Sequence, residues 1–521
     1  VGFAHFIARR ILRSTEGTRS ERISRPIVAI AVVGVVLGMA VMIVTLGFTA
    51  GFQGEVRSKT VGAGAHFQIT SLRQTDPKET PRIPIAQPFY PSITEHPGVE
   101  HIQVYATKPG IIETDEDIQG VVVKGVGTDH DWRFLRRHLL TGDLPAIGDS
   151  ARPIDVMISQ FHAQRLRIGV DDTITIYLVR DRQDIRPRRF RVSGVYRTGL
   201  EQIDHNLVYT DIGHLQRFSQ WGLKAELQVY DSVSTQGVLI EGLAFGGDRV
   251  YRYHWPGTDL RGPGPHWIRT DRDTVITLVV SDADRTIPDT AWVRLVPDTT
   301  ALADLAWATR DRITVERGGS GGSHVKYCGG FEVSVRSFDD LFAVDTVLFA
   351  MFAAQRIRDN EPGLRALSVR DRFPEIFAWL ELLDTNVIVI IVLMVVVAII
   401  NMTSALLIII LERTPMIGVL KALGASTSMV RRIFLIDAAY IIGSGIVLGN
   451  ILGIGLCLVQ QHFGLVRLPV ETYYVDVVPI HLEPLPVIAL SVGTLLVCVA
   501  ALVVPSMLVA RIAPARAIRF A

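Results

Sequence analysis

Cysteine is nearly absent: Cys328, Cys457 and Cys498 are the only three in 521 residues. That is too few for a disulfide-stapled scaffold, and Cys328 has no partner near it in sequence. No paired C-x-x-C and no H-E-x-x-H occurs, which removes the common zinc sites, and no metal is expected. A basic excess is missing too: 53 Lys and Arg against 52 Asp and Glu leave a net charge of +1. A nucleic-acid-binding chain would be strongly basic, so no nucleic-acid partner is expected. There is no G-x-x-x-x-G-K-[ST] loop, so the chain cannot cradle nucleotide phosphates in that manner. Gly318-Gly319-Ser320-Gly321-Gly322 matches G-x-S-x-G. That motif works only on a strained strand-to-helix elbow, and here a run of glycine and serine surrounds it. No catalytic residue is expected, and any energy source must come from a partner.

Apolar residues make up 48% of the chain and charged ones 20%. Mean hydropathy is +0.31. Four windows carry no Asp, Glu, Lys or Arg: 26–54, 385–411, 438–461 and 484–510. Each exceeds the roughly 20 apolar residues that cross a hydrocarbon core. The spans are placed at 27–50, 385–411, 434–459 and 486–510. The first apolar run is too long for a signal peptide, and Phe48-Thr49-Ala50 is a poor cleavage site, so it reads as an uncleaved anchor.

Lys and Arg in the short flanks set orientation. Arginines crowd the 1–26 segment, the 412–433 loop and the 511–521 tail, whereas the 460–485 connection holds only Arg467. Both termini are therefore expected in the cytoplasm, with 51–384 outside. That outer domain shows short β-type runs at 66–70, 118–126, 173–179 and 189–196. A β-rich module is expected as an insertion at about 217–330, with the glycine-serine stretch at 318–323 as a flexible way back. The fold class is thus a four-helix membrane protein with a large α+β outer domain carrying a β-rich insertion.

Inside the spans, Gly445, Gly449 and Gly453 recur every four residues, a face that permits close helix approach; Gly34 with Gly38 and Gly47 with Gly51 do likewise. Asn401 and Asn450 are expected to hydrogen-bond between helices, and Asp437 to be met by water or by Arg431 and Arg432. The 411–434 loop is the most informative stretch. Pro415 can start a helix and Gly424 can stop it, with Met416, Ile417, Val419, Leu420 and Leu423 as its apolar face. Such a helix could dock into a groove of a cytoplasmic partner.

Four blocks, 37–70, 373–426, 468–482 and 505–520, resemble FtsX-like ABC transporter permeases of the lipoprotein-releasing LolC/LolE type. The likeness covers about a third of the chain. It implies a permease in the inner membrane of a Gram-negative bacterium, paired with a second permease copy or paralogue. Two copies of a separate cytoplasmic P-loop ATPase would carry the ATP and Mg, leaving no cofactor on this chain. By the resemblance, Glu412, Arg413, Pro415, Met416, Gly418, Val419, Leu420, Lys421, Leu423 and Gly424 form the ATPase-coupling element. A lipoprotein would enter from the outer leaflet, its acyl chains near Leu46, Phe48, Phe52, Val387 and Ile391, and leave for a periplasmic carrier. No segment matches the carrier-binding hook of some members. Two other activities fit the same architecture: a signalling scaffold controlling cell-wall hydrolases, and a MacB-like mechanotransmitter for efflux.

Overall fold

The computed structural model describes residues 21–62, 64–114, 117–148, 154–181, 184–234, 237–247, 249–269, 272–283, 286–297, 313–359, 363–469 and 475–507. The chain divides into two compact units, one from residues 1–58 and 373–521, the other from 59–372.

Four helices of the first unit are long and apolar enough to cross a membrane: Val28–Gly62, Pro374–Glu412, Thr427–Phe463 and Pro484–Ser506. The first begins at Glu21 and runs 42 residues, about 63 Å at 1.5 Å per residue. Helix one therefore continues through Glu55 and Lys59, and helix two starts at Pro374. The expected outer domain of 51–384 is corrected accordingly, because charge-free composition marks the apolar window and not the helix ends. Helix four is also shorter than expected: it ends at Ala501, followed by a short turn of helix Val503–Ser506. Pro505 lacks the N–H that would bond the Ala501 carbonyl.

The second unit is built around a ten-stranded sheet. Val99–Glu113 pairs with Ile118–Val126, which pairs with Leu207–Asp211, then Asp155–Ser159, Asp184–Tyr196 and Thr173–Asp181. Thr173–Asp181 returns to Val99–Glu113, so six strands close into a small barrel. Val123, Ile158, Ile176, Leu178, Phe190 and Val208 are fully buried there, as inward-facing residues of a barrel this size must be. The first half of Val99–Glu113 leaves the ring and joins Gly330–Val335, Phe67–Ser71 and Leu364–Ser368. Those last two strands flank the points where the chain enters and leaves the unit.

The insertion forms two sheets. Leu223–Ser234, Gly237–Gly246 and His266–Ile268 make one; Tyr251–His254, Thr274–Asp282, Asp289–Pro297 and Ile313–Gly319 make the other. Leu227, Ile240, Trp255, Leu278, Val293 and Leu295 bury between them. The insertion therefore occupies 223–319 rather than 217–330. Residues 217–218 end a helix of the core, and Gly330 already lies in its sheet. The glycine-serine stretch is not a flexible linker. Gly318 and Gly319 are in a strand, Gly321 and Gly322 take φ of 77° and 107°, and Ser323 is fully buried. Its Oγ accepts from the Leu223 N–H at 2.8 Å, clasping the start of the insertion to its end.

His66 and His162 are buried in this unit, and burial pushes both pKa values down to about 4. His66 Nδ1 accepts from the Val335 N–H at 3.1 Å, which requires the neutral ring. The unfolded chain protonates near 6.5, so stability is present above that value and is lost as pH falls toward 4. Lowering pH from 7 to 5 is expected to remove about 2 kcal/mol per histidine, read as a drop in the urea midpoint. His162→Gln should flatten that slope; equal midpoints at both pH values would refute it.

Candidate functional site

The loop between helices two and three folds into a nine-residue helix, Thr414–Ala422, with Pro415 in its first turn. It stops where Gly424 adopts φ +95°, a left-handed conformation open to glycine. The Gly424 and Ala425 N–H groups then donate to the Lys421 and Leu420 carbonyls at 3.1 and 3.0 Å, satisfying the helix end. Ser426 caps helix three, its Oγ accepting from the Met429 N–H.

The apolar residues of this helix separate into two faces. Ile417 and Gly418 are buried, and Met416 packs against the membrane-helix core with them. Pro415, Val419, Ala422 and Leu423 point outward, with Val419 51% and Leu423 80% exposed. Their spacing of four, three and one places them on one stripe. The single face expected from the sequence mixed an anchoring side with an outward one. Glu412, Arg413, Leu420 and Lys421 are half-buried along the flanks. Arg413 is also the electrostatic partner of the buried Asp437, in place of the expected Arg431 and Arg432.

The five residues expected to meet acyl chains do not form an outward surface. Phe52 is 1% exposed, its ring set edge-on to Trp379 at 5.3 Å, with Phe48 beside it at 5.6 Å. Leu46 and Ile391 pack onto the helix core, and Val387 is half-buried. The outward stripe of helix two consists of Ile388, Val389, Val392, Leu393, Val396 and Ile400. A single charge-free run cannot reveal which side of a helix its neighbours cover.

Gly445, Gly449 and Gly453 lie against Val35, Met39 and Ala40 of helix one. Asn450 Nδ2 donates to Ser491 Oγ at 3.0 Å, joining helices three and four. Gly51 does not receive a helix, and Gly47 meets helix three only through Cys457 Sγ, 3.6 Å from where its Cβ would stand. The 479–482 connection packs there instead, the His481 N–H donating to the Gly47 carbonyl at 3.0 Å. Gln53 Nε2, missed in the sequence, donates to the Leu380 carbonyl at 3.1 Å and to Asp384 Oδ1 at 2.8 Å. It ties helix one to helix two. Residues 470–474 of the 468–482 block fall outside the described residues, as do the arginines of the 1–20 and 511–521 segments.

Ser320 offers no nucleophile elbow. Its Oγ donates to the Asp289 carboxylate and its N–H to the Thr290 carbonyl, both in a neighbouring strand of the insertion. Cys328 is buried in the core of the second unit, where burial pushes its thiol well above the ordinary range. No cluster that could hold a metal exists among the described residues.

Two family models match the chain. The FtsX-like permease C-terminal model covers residues 388–514, and the MacB-like periplasmic core domain covers 28–239. A lipoprotein-releasing system transmembrane protein LolC from Xylella fastidiosa (strain 9a5c) is 25% identical over 207 residues. The match covers 36% of this chain and 45% of that relative. LolC of Neisseria meningitidis serogroup B is 21% identical over 197 residues, covering 36% and 44%. The chain thus spans less than half the length of the curated relatives it matches. The extracellular domain of a noncanonic ABC-type transporter, YknZ from Gram-positive bacteria, shares 12% identity with a TM-score of 0.20, covering 29% of this chain and 75% of that one.

Proposed function

We propose that this chain is the permease subunit of an ATP-driven transporter that extracts lipoproteins from the outer leaflet of the inner membrane. The observation that carries the reading is the outward Pro415–Val419–Ala422–Leu423 stripe, in a chain whose apolar helices match an FtsX-like permease and whose relatives are named LolC. A short helix anchored by Ile417 and open on its other side suits a groove on a cytoplasmic ATPase. Two ATPase copies would bind ATP and Mg, and a second permease copy or paralogue would complete the channel.

ATP-driven closure would push on Thr414–Ala422, and helices two and three, which flank it directly in the chain, would carry the movement outward. Gln53, bonded to Leu380 and Asp384, would pass it to helix one. Acyl chains would meet the exposed face of helix two around Ile388, Val392 and Val396. Each buried CH₂ holds a lipid anchor by about 0.8 kcal/mol, so a multiply acylated cargo leaves too slowly without ATP. A periplasmic carrier would receive it.

The MacB-like core match supports a second reading, mechanotransmission for efflux, and a hydrolase-controlling scaffold shares the same coupling parts. Proteoliposomes holding this chain, its ATPase and a triacylated lipoprotein, with soluble acceptor outside, separate extraction from the other two. ATP-dependent release is the expected result. ATP turnover without release, in vesicles where a known extractor works, would overturn extraction in favour of the other two.

A further inference from the structure

The sheet of the outer unit has one ordinary face and one unusual one. Phe67, Ile69, Ile102, Val104, Phe331 and Val333 bury on the first. On the other, Gln68, Glu332 and Gln103 sit side by side across three strands. Glu332 is 1% exposed. It accepts from Gln68 Nε2 at 3.0 Å, Gln103 Nε2 at 2.8 Å and Lys124 Nζ at 2.6 Å. Lys124 belongs to the barrel and lies over the rings of Tyr105 and Tyr209 at 5.6 and 5.8 Å. Burial alone would raise the Glu332 pKa, but Lys124 and Gln103 outweigh it and hold the carboxylate ionised.

The ladder ends where the chain enters and leaves the unit. Gln68 is on the first strand after helix one. Arg372, the last residue of this unit, donates from Nη1 to the Gly64 carbonyl at 2.7 Å and interacts electrostatically with Glu332. Gly64 is where a side chain would strike: an added Cβ would stand 2.3 Å from Arg372 Nη2. The two crossings are therefore fastened to each other, and through Glu332 to the barrel.

A buried ion pair is a poor way to gain stability, since apolar residues of the same volume often do as well or better. It differs from an apolar layer in being directional: hydrophobic contact tolerates sliding, whereas hydrogen bonds fix one orientation. We propose that the Gln68–Glu332–Lys124 ladder, with Arg372 closed onto Gly64, is a positioning device that makes the barrel follow the two chain crossings as one body. The inference concerns the outer unit alone and holds whatever the cargo is.

Spin labels on Ile118→Cys and Arg370→Cys test it in the full chain in nanodiscs. Both sites are exposed and the three native cysteines are buried. The native background should give a single narrow distance. Lys124→Met combined with Glu332→Leu removes the ion pair but also takes the acceptor from Gln68 and Gln103 and the counter-charge from Arg372, so it should melt lower, and it should lose that narrow peak to a broad distribution. Gln68→Met, which cuts only the link to the first strand, should broaden it less and is the readout if the double variant fails to fold. A purely structural ladder would move the melting temperature and leave the peak narrow. A narrow, unshifted peak in the folded double variant, or in Gln68→Met where that variant alone folds, overturns the proposal.

Discussion

Val419→Glu with Leu423→Glu is expected to leave the four apolar helices folded and to abolish retention of the partner ATPase. The two side chains are 51% and 80% exposed and share the outward stripe with Pro415 and Ala422. Neither contributes to the buried helix core, so their loss should leave the melting temperature unchanged. An apolar anchor at the centre of an interface is worth about 2 kcal/mol on truncation, so Leu423→Ala alone should weaken ATPase binding roughly thirtyfold. Two buried carboxylates would cost more than truncation. Ile417→Ala is the contrasting control. It is fully buried beneath the same helix, so it should cost about 2–5 kcal/mol of stability before any effect on coupling is read. ATPase binding measured on purified chain in nanodiscs separates the two. Undiminished binding of the double glutamate variant would remove this helix as the docking element, while lost ATP-driven release with intact binding would place its role after docking.

How much of this was legible in the sequence depends on whether the signal was local. The four charge-free windows identify helices because a run of 20 apolar residues has few other uses. Pro415 and Gly424 bracket the Thr414–Ala422 helix because backbone chemistry acts at single residues, and both stand where their φ preferences require. The β runs at 118–126 and 173–179 fall in strands for the same reason. What failed was pairing over distance. Closure of the barrel depends on Thr173–Asp181 meeting Val99–Glu113, some 65 residues away, and no periodicity reports that. The stretch at 318–323 was misjudged because glycine is common to flexible linkers and to tight crossings. Here Gly222 admits the His324 backbone, and an added Cβ would lie 2.2 Å from its nitrogen.

The residues expected near acyl chains show the same limit in the apolar helices. Phe48 and Phe52 were expected beside the acyl chains, but the Phe52 ring is buried edge-on against Trp379. Val387 and Ile391 follow from the resemblance alone, which does not decide facing. One helical turn offers every direction, and the occupied ones are set by the neighbouring helices. The outward set, Ile388, Val392 and Val396, is one residue displaced from a position of equal hydropathy. Hydrophobic composition alone cannot rank them.

Gly449→Ala should be the most damaging of the three glycine substitutions in helix three, for a reason that also predicts which second change fails to repair it. A Cβ at 449 would stand 2.6 Å from Met39 Cβ and 2.9 Å from the Val36 carbonyl oxygen. Met39→Ala keeps that Cβ and leaves the carbonyl in place, so it should not rescue. At 445 the nearest atoms are Val35 Cγ1 at 2.9 Å and Val35 Cβ at 3.0 Å; Val35→Ala removes the first and keeps the second, with no backbone atom closer than 3.6 Å, so it should restore only part of the loss. At 453 the closest approaches are 3.1 Å, to Ala40 Cα and Ile43 Cβ, and a small shift suffices. Overpacking typically costs about 1–3 kcal/mol, and the order 449, 445, 453 should hold within that range. Unfolding midpoints in mixed detergent would measure it. If instead these glycines merely reflect the usual glycine content of membrane helices, all three alanines should be equally mild and Val35→Ala should only destabilise. If the 414–422 helix couples to an ATPase as proposed, the ordering matters there too, because close approach of helices one and three would give its movement a second route to helix one besides Gln53.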